Sequence, residues 1–324
     1  MTKILNIGDQ LTSQPCVATI GSFDGVHLGH RHLIECVKKQ AQLQGMASAV
    51  VTFTCHPLQV LAPHAPLELL MTTEQRLEAL SQLGVDTIFL TPFTPALAAL
   101  TARDFATLLQ RQCGVNTLVL GFNHRFGSDH GASLRHDDAT LPVVTASEYA
   151  GSEAPVSSSI VRRLLHDGRV AQAAAKLGHP HELRGTVVHG HHNGTAMGFP
   201  TANVQPPPHC LVPAVGAYAV LVTVRGATLR GMAGVGYRPT VDGHNRHLTV
   251  EVNIFDHEGD LYGSTLGIHF VERLRDEERW SGVDALRRQL ATDRRRALAI
   301  LNEYSQHHSP LISLEHYDGS NQFV

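Results

Sequence analysis

Two apolar runs, Cys16–Ile20 and Ala47–Phe53, bracket a stretch in which Leu33, Ile34, Val37 and Ala41 recur at helical spacing. Gly45 follows where such a helix stops, because glycine enters the left-handed conformation that ends a helix at no steric cost. Buried strand, amphipathic helix and buried strand make a β-α-β unit. The turn leading into the helix reads Gly21-Ser22-Phe23-Asp24-Gly25-Val26-His27-Leu28-Gly29-His30. A helix N-terminus presents free N–H groups and a partial positive charge, so it attracts phosphate. His27 and His30 are placed to donate hydrogen bonds to phosphate oxygens, and Gly29 is expected to leave room for a ligand near the backbone.

The alternation continues along the first half. Thr72 with Gln75 has the form of a capping box, opening a helix that runs towards Leu83-Gly84. Val85 to Leu90 reads as a strand. Thr101 with Asp104 marks another helix start, Cys113-Gly114 its end, and Val115 to Leu120 the next strand, followed at once by Gly121. Strands alternating with helices predict a Rossmann-like α/β domain, an open and mostly parallel sheet with helices on both faces. Ligands bind such sheets beyond the carboxyl ends of the strands. The His27–His30 turn and the segment Gly121-Phe122-Asn123-His124-Arg125-Phe126-Gly127 both fall at that edge. Ser157-Ser158-Ser159-Ile160-Val161-Arg162 opens a helical stretch reaching about His166. Its hydroxyls and arginine form a second anion-friendly helix start, at which one serine also serves as N-cap.

After Gly178 the helical spacing gives way to short runs separated by Gly, Pro and His. Leu183 to Val188, Ala217 to Val224 and Leu248 to Phe255 read as strands. In the last, Leu248, Val250, Val252 and Ile254 point one way and Thr249, Glu251 and Asn253 the other. Short strands with frequent turns predict a small antiparallel β-barrel. A terminal helix follows from about Val283 to Tyr304, with Leu286, Leu290, Ala297 and Leu301 as its apolar stripe. In Gly194-Thr195-Ala196-Met197-Gly198-Phe199-Pro200-Thr201-Ala202-Asn203 the side-chain oxygens of Thr201 and Asn203 lie close together. Mg²⁺ prefers oxygen ligands and is usually completed by water and phosphate, so this pair with ATP suits it.

Bulk properties set the boundaries of these readings. A chain of 324 residues is long enough for about two domains. With 43% hydrophobic and 17% charged residues it buries ordinary cores, and a net charge of −3 gives no reason to expect a nucleic-acid or membrane partner. None of the five cysteines forms a CxxC pair, so reduced and mostly buried thiols are expected. Met1 to Gln10 lacks the apolar core of a signal peptide, and no run reaches the roughly 18 apolar residues of a membrane span. A soluble cytoplasmic protein is expected. His189, His191 and His192 read as a solvated turn, since no second cluster at ligand spacing accompanies them.

The first turn resembles the nucleotidyltransferase signature of the HxGH family. With the Gly121 and Ser157 segments, and the run Val50-Val51-Thr52-Phe53-Thr54-Cys55-His56-Pro57, it resembles the adenylyltransferase module of bacterial bifunctional riboflavin kinase/FAD synthetases. The resemblance implies catalytic roles for His27, His30 and Arg162. It implies nucleotide binding by Gly21, Ser22, Phe23, Asp24, Gly29, Asn123, Ser157, Ser158 and Ser159. His124 stands where that family usually has phenylalanine, and Ser159 replaces threonine. The Gly194–Asn203 segment resembles the flavokinase signature, although Thr195 replaces its usual arginine. Gly234-Val235-Gly236-Tyr237-Arg238-Pro239-Thr240 resembles that family's central loop, and Leu261-Tyr262-Gly263 and Leu274-Arg275-Asp276-Glu277 follow in order. The resemblance implies Glu251 as the catalytic base and Gly198, Phe199, Pro200, Thr201, Asn203 and Arg275 as binding residues, with Mg²⁺ on Thr201 and Asn203.

The organisation so implied is an FMN adenylyltransferase domain over residues 1–180, a riboflavin kinase domain over 181–305 and a flexible tail over 306–324. The reactions implied are ATP-dependent phosphorylation of riboflavin to FMN, then adenylylation of FMN to FAD with release of pyrophosphate. The partners are riboflavin, FMN and ATP; the oligomeric state is not legible. Two alternatives stay open: a single active module, or a non-catalytic flavin- or nucleotide-binding regulator.

Overall fold

The computed structural model describes residues 1–8, 14–122, 126–131, 141–151, 155–190, 198–239, 246–278 and 280–307. Asn123, His124, His191, His192, Thr195 and the stretch from residue 308 onward lie outside the described residues. The chain forms two compact units, residues 1–158 and 159–324.

The first unit runs β1 (Lys3–Asn6), β2 (Cys16–Ile20), α1 (Leu28–Gln44), β3 (Ala47–Phe53), α2 (Leu58–Leu61), α3 (Thr73–Gln82), β4 (Thr87–Thr91), α4 (Pro95–Ala99), α5 (Ala102–Cys113), β5 (Val115–Leu120) and β6 (Val143–Thr145). All six strands are parallel, in the order β1-β4-β3-β2-β5-β6. Both faces are covered. Val17, Val50 and Ile88 pack with Leu33, Ile34 and Val37 of α1, while Ala18, Val51 and Leu118 pack with Phe105 and Leu109 of α5.

The helix ends follow the expected chemistry. Gly45 and Gly114 take left-handed backbone (φ 64° and 67°) after α1 and α5. Thr72 and Gln75 form a complete capping box at α3, and the Thr101 hydroxyl accepts from Asp104 N–H at α5. From β2 the chain goes to β3 on one side, then returns through α5 to β5 on the other. That reversal opens a crevice at the carboxyl ends of β2 and β5. The Gly21–His27 turn leaves β2 there, and Gly121-Phe122 leave β5 there.

α6 (Ser158–His166) follows, and α7 (Val170–Leu177) belongs to the second unit, where it lies against two of its strands. That unit is a closed barrel of β7 (His181–Val188), β8 (Ala202–Gln205), β9 (Gly216–Val224), β10 (Ala227–Pro239), β11 (Arg246–Ile254) and β12 (Thr265–Arg275). Its order is β10-β11-β8-β7-β12-β9, with every pair antiparallel. Fully buried side chains fill it, among them Val220, Val222, Val252, Ile268 and Phe270. α8 (Val283–His307) lays Ala297 and Leu301 against the outer faces of Ala219, Leu221, Met232 and Val271.

The structure revises three expectations. Residues Gly234 to Pro239, expected in a central loop, continue strand β10. Two of the five cysteines, Cys16 and Cys113, are buried; Cys36, Cys55 and Cys210 are partly exposed, and all five are free. The last helix extends to His307, beyond the end expected at about Tyr304.

Candidate active sites

The first site is built around the end of β2. Phe23, Gly25 and Val26 all take positive φ (50°, 84° and 37°), and Val26 N–H closes a turn on the Phe23 carbonyl at 3.0 Å. A buried phenylalanine and a buried β-branched residue in that conformation hold backbone strain at the crevice. The turn delivers His27 as N-cap of α1, where its Nδ1 accepts the His30 N–H at 3.3 Å. The His27 and His30 rings stack at 3.6 Å between centroids, and Phe23 meets His30 edge-on at 5.1 Å. Burial pushes the pKa of His27 down to about 4, so the ring is neutral at pH 7. With Nδ1 accepting, its proton resides on Nε2, the nitrogen left to donate to a ligand. A Cβ added to Gly29 would meet the His27 ring at 3.3 Å. Gly29 therefore makes room for that ring, where the sequence had suggested room for a ligand.

Asp24 faces inward. Its carboxylate accepts Leu70 N–H at 3.0 and 3.1 Å and Met71 N–H at 3.3 Å, and the residue is 1% exposed. It also supplies the largest favourable charge near Arg76, a buried guanidinium whose pKa is lowered by desolvation. Arg76 in turn donates to the Phe53 carbonyl at the end of β3. Ser158 Oγ donates to the Asp24 carbonyl at 2.8 Å, joining the start of α6 to the first turn. Gly21 N–H binds the Val51 carbonyl at 3.1 Å, and Gly21 and Ser22 are half-buried beside the turn. Ser157 precedes α6 and is half-buried; Ser159 is exposed; Arg162 lies one turn beyond Ser158 on the same helix and is half-buried.

The second site lies on the outer wall of the barrel. Glu251 of β11 stands opposite Asn203 of β8 on one side and Gly234 of β10 on the other. Thr249, two residues earlier, stands opposite Gly236. Two glycines on the outward positions of β10 leave the surface beside Glu251 bare, and a Cβ added at Gly234 would meet nothing within 4 Å. The result is a cavity of about 380 Å³, walled by Phe199, Thr201, Glu251, Asn253, Arg275 and Trp280 and closed by Leu286 and Leu290 of α8. The Thr201 hydroxyl donates to Glu251 Oε2 at 3.3 Å. The Asn203 amide occupies the space above Gly190, where a Cβ would overlap it. Gly198 takes a φ of 79° at the turn before Pro200.

Arg275 is anchored by Asp293 of α8, with Nε and Nη2 each 2.9 Å from Oδ2, and lies over the Trp280 ring at 5.3 Å. Gln289 holds the other carboxylate oxygen at 2.8 Å. The structure thus brings Phe199, Thr201, Glu251 and Arg275 to one cavity. Asn253, Gly234, Gly236, Trp280 and Asp293 were not among the expected site residues. Asp293 could have been found: it falls on the stripe of Leu286, Leu290, Ala297 and Leu301, where a buried carboxylate requires a partner.

The parallel sheet carries two stacked histidines in the turn at its edge, and the barrel carries a Pro-Thr-x-Asn strand start beside a glutamate. The FAD synthetase family model matches residues 9–159, and the riboflavin kinase family model matches residues 177–301. The bifunctional riboflavin kinase/FMN adenylyltransferase of Bacillus subtilis is 31% identical over 288 residues, covering 87% of this chain and 91% of that protein. The protein of the same name from Escherichia coli K12 is 35% identical over 291 residues, covering 88% and 92%. The chain belongs to the bifunctional riboflavin kinase/FMN adenylyltransferase family. A crystal structure described as a macrolide-efflux protein from Streptococcus pneumoniae shares the fold, with a TM-score of 0.83 and 32% identity over 91% of this chain and 98% of that one. Among the described residues of this chain, no helix is long and apolar enough to cross a membrane.

Proposed function

We propose that the chain makes FMN from riboflavin at the barrel site and FAD from FMN at the sheet-edge site, using one ATP in each step. The observation that carries the first half is the setting of Glu251, held by Thr201 on the wall of a cavity whose floor two glycines keep open. Glu251 accepts the proton of the terminal ribityl hydroxyl while that oxygen attacks the γ-phosphorus, and ADP leaves. Thr201, Asn203 and Arg275 bind and orient the phosphates. Phe199 and the apolar residues of α8 exclude water, so most of the acceleration comes from positioning and electrostatics.

The donor set also fits Mg²⁺. Thr201 and Asn203 offer neutral oxygens beside one carboxylate, and the described residues contain no group of three or more His, Cys, Asp or Glu that would hold a softer metal. When bound, Mg²⁺ supplies neutralisation of phosphate charge.

Adenylyl transfer requires no base, because the FMN phosphate is already a nucleophile. It attacks the α-phosphorus of ATP and pyrophosphate leaves. His27 donates from Nε2, and His30, Arg162, Ser157, Ser158, Ser159 and the N-terminal N–H groups of α1 bind the phosphates. They counter the charge that builds up as two anions meet. Asp24 contributes by holding the turn. Riboflavin, FMN and ATP are the small-molecule partners, and the enzyme acts in the cytoplasm.

The test is a timed incubation with riboflavin, ATP and Mg²⁺, with the three flavins separated by chromatography. FMN rises first and FAD follows. His30→Ala stops at FMN. Glu251→Gln leaves riboflavin nearly untouched, by about 10²–10⁴-fold, yet converts supplied FMN to FAD. Parallel loss of both activities in either folded variant refutes the division of labour.

A further inference from the structure

Asn253 stands two residues beyond Glu251 on the same outward face of β11, opposite Met232. The residue is 5% exposed. Its Nδ2 donates to the Pro200 carbonyl at 2.7 Å, which sets the amide's orientation, because a carbonyl can only accept. Oδ1 is then buried with no hydrogen-bond partner among the described residues. A buried acceptor left unmet costs stability, whereas an apolar side chain of similar size would carry no such penalty. The barrel therefore keeps Asn253 at some cost, and residues retained on those terms concentrate at functional sites.

The surroundings indicate what the cost secures. The ladder between β8 and β11 ends where Ala202 faces Val252. Beyond it Pro200 has no N–H to continue the pairing, and the Asn253 amide takes the Pro200 carbonyl instead. On the same face Glu251 receives the Thr201 hydroxyl at 3.3 Å. Consecutive residues 200 and 201 are thus held by alternate residues 253 and 251 of one strand. We infer that Asn253 is a positioning residue of the kinase site: it fixes the Pro200–Thr201 corner, so that the Thr201 hydroxyl and the Glu251 carboxylate keep their mutual setting while ATP binds. This inference rests on the assignment of Thr201 and Glu251 to riboflavin phosphorylation.

The experiment uses the full chain with Asn253→Leu, Asn253→Asp and, separately, Thr201→Val. Each is measured for FMN formation at varied ATP and riboflavin, for FAD formation from FMN, and for thermal midpoint. Leucine removes both polar ends of the amide. Aspartate keeps the shape but turns an oxygen towards the Pro200 carbonyl. The expected result is a KM for ATP raised about tenfold or more in both Asn253 variants, with the KM for riboflavin and the rate of FAD formation close to the parent's. The leucine variant loses the bond to the Pro200 carbonyl together with the unmet oxygen, two opposed effects, so its midpoint stays close to the parent's. A leucine variant with a lowered midpoint and an unchanged KM for ATP would show a purely structural residue and overturn the inference. Parent kinetics in both Asn253 variants, with ATP affinity lost in Thr201→Val, would also overturn it while leaving the site assignment standing. Parent kinetics in Thr201→Val as well would overturn the site assignment, and the inference with it.

Discussion

With His27 Nδ1 accepting from the His30 N–H and the pKa of the ring pushed down to about 4 by burial, this histidine is a neutral donor at the proposed adenylyl-transfer site. A lowered pKa means the ring binds a proton only well below neutrality, so its state is constant across the neutral range. The rate of FAD formation should therefore show no ionisation from His27 between about pH 5.5 and 8. His27→Gln keeps an N–H donor but lacks the same fit. It is expected to lower the rate by roughly 10²-fold without changing the shape of the pH profile. An acidic limb near the ordinary histidine value, present in the parent and absent from the glutamine variant, would show that His27 titrates during turnover. The stacked pair also explains a local sequence choice. Gly29 lies against the His27 ring at a distance that leaves a Cβ little room, so HxGH reads in this fold as two rings and the gap that admits one of them.

Between elements, the sheet-edge site depends on a link that joins loops rather than regular structure. Asp24 gathers the Leu70 and Met71 N–H groups and sits near the buried Arg76, whose own hydrogen bond ends on β3. Asp24→Asn keeps the shape but removes the charge that compensates the guanidinium. It is expected to cost the first unit about 2 kcal/mol, read as FAD-forming activity lost at lower urea while FMN formation survives unshifted. Equal sensitivity of the two activities would contradict it. What the sequence made legible follows the same physics. β2, β3 and β5 appeared at their observed bounds because they are uninterrupted buried runs between turn residues, and α1, α3 and α5 because Gly45, Thr72, Thr101 and Gly114 punctuate them. β1 and β6 are four and three residues long and exposed, too short to carry a period. β10 was hidden by the glycines at 231, 234 and 236, which erase alternation, the last two where they open the cavity. The Asn253–Pro200 bond spans 53 residues, and no local pattern encodes a contact at that distance.

Over the whole molecule, the histidine turn lies in residues 1–158 and the Thr201–Glu251 pair in residues 159–324. Each site has its own framework, the strained turn and α1 in one case and the barrel wall and α8 in the other, so damage to one need not reach the other. The intermediate that joins the two reactions is FMN, a soluble anion with no covalent tie to either site. Two variants with complementary defects should then cooperate. His30→Ala makes FMN and stops, while Glu251→Gln cannot make FMN but adenylylates it. Mixed in one tube with riboflavin, ATP and Mg²⁺, they are expected to form FAD after a lag, because FMN must leave one molecule and reach the other. The lag should shorten as the concentration of the Glu251→Gln partner rises, since capture of free FMN is bimolecular. A parent enzyme that releases FMN in the same way should lose FAD output when a third protein that binds FMN is added. Should the mixture make FMN yet no FAD while the Glu251→Gln variant still converts FMN supplied from outside, the His30→Ala protein must be retaining its product, and the two units would be coupled through FMN rather than independent.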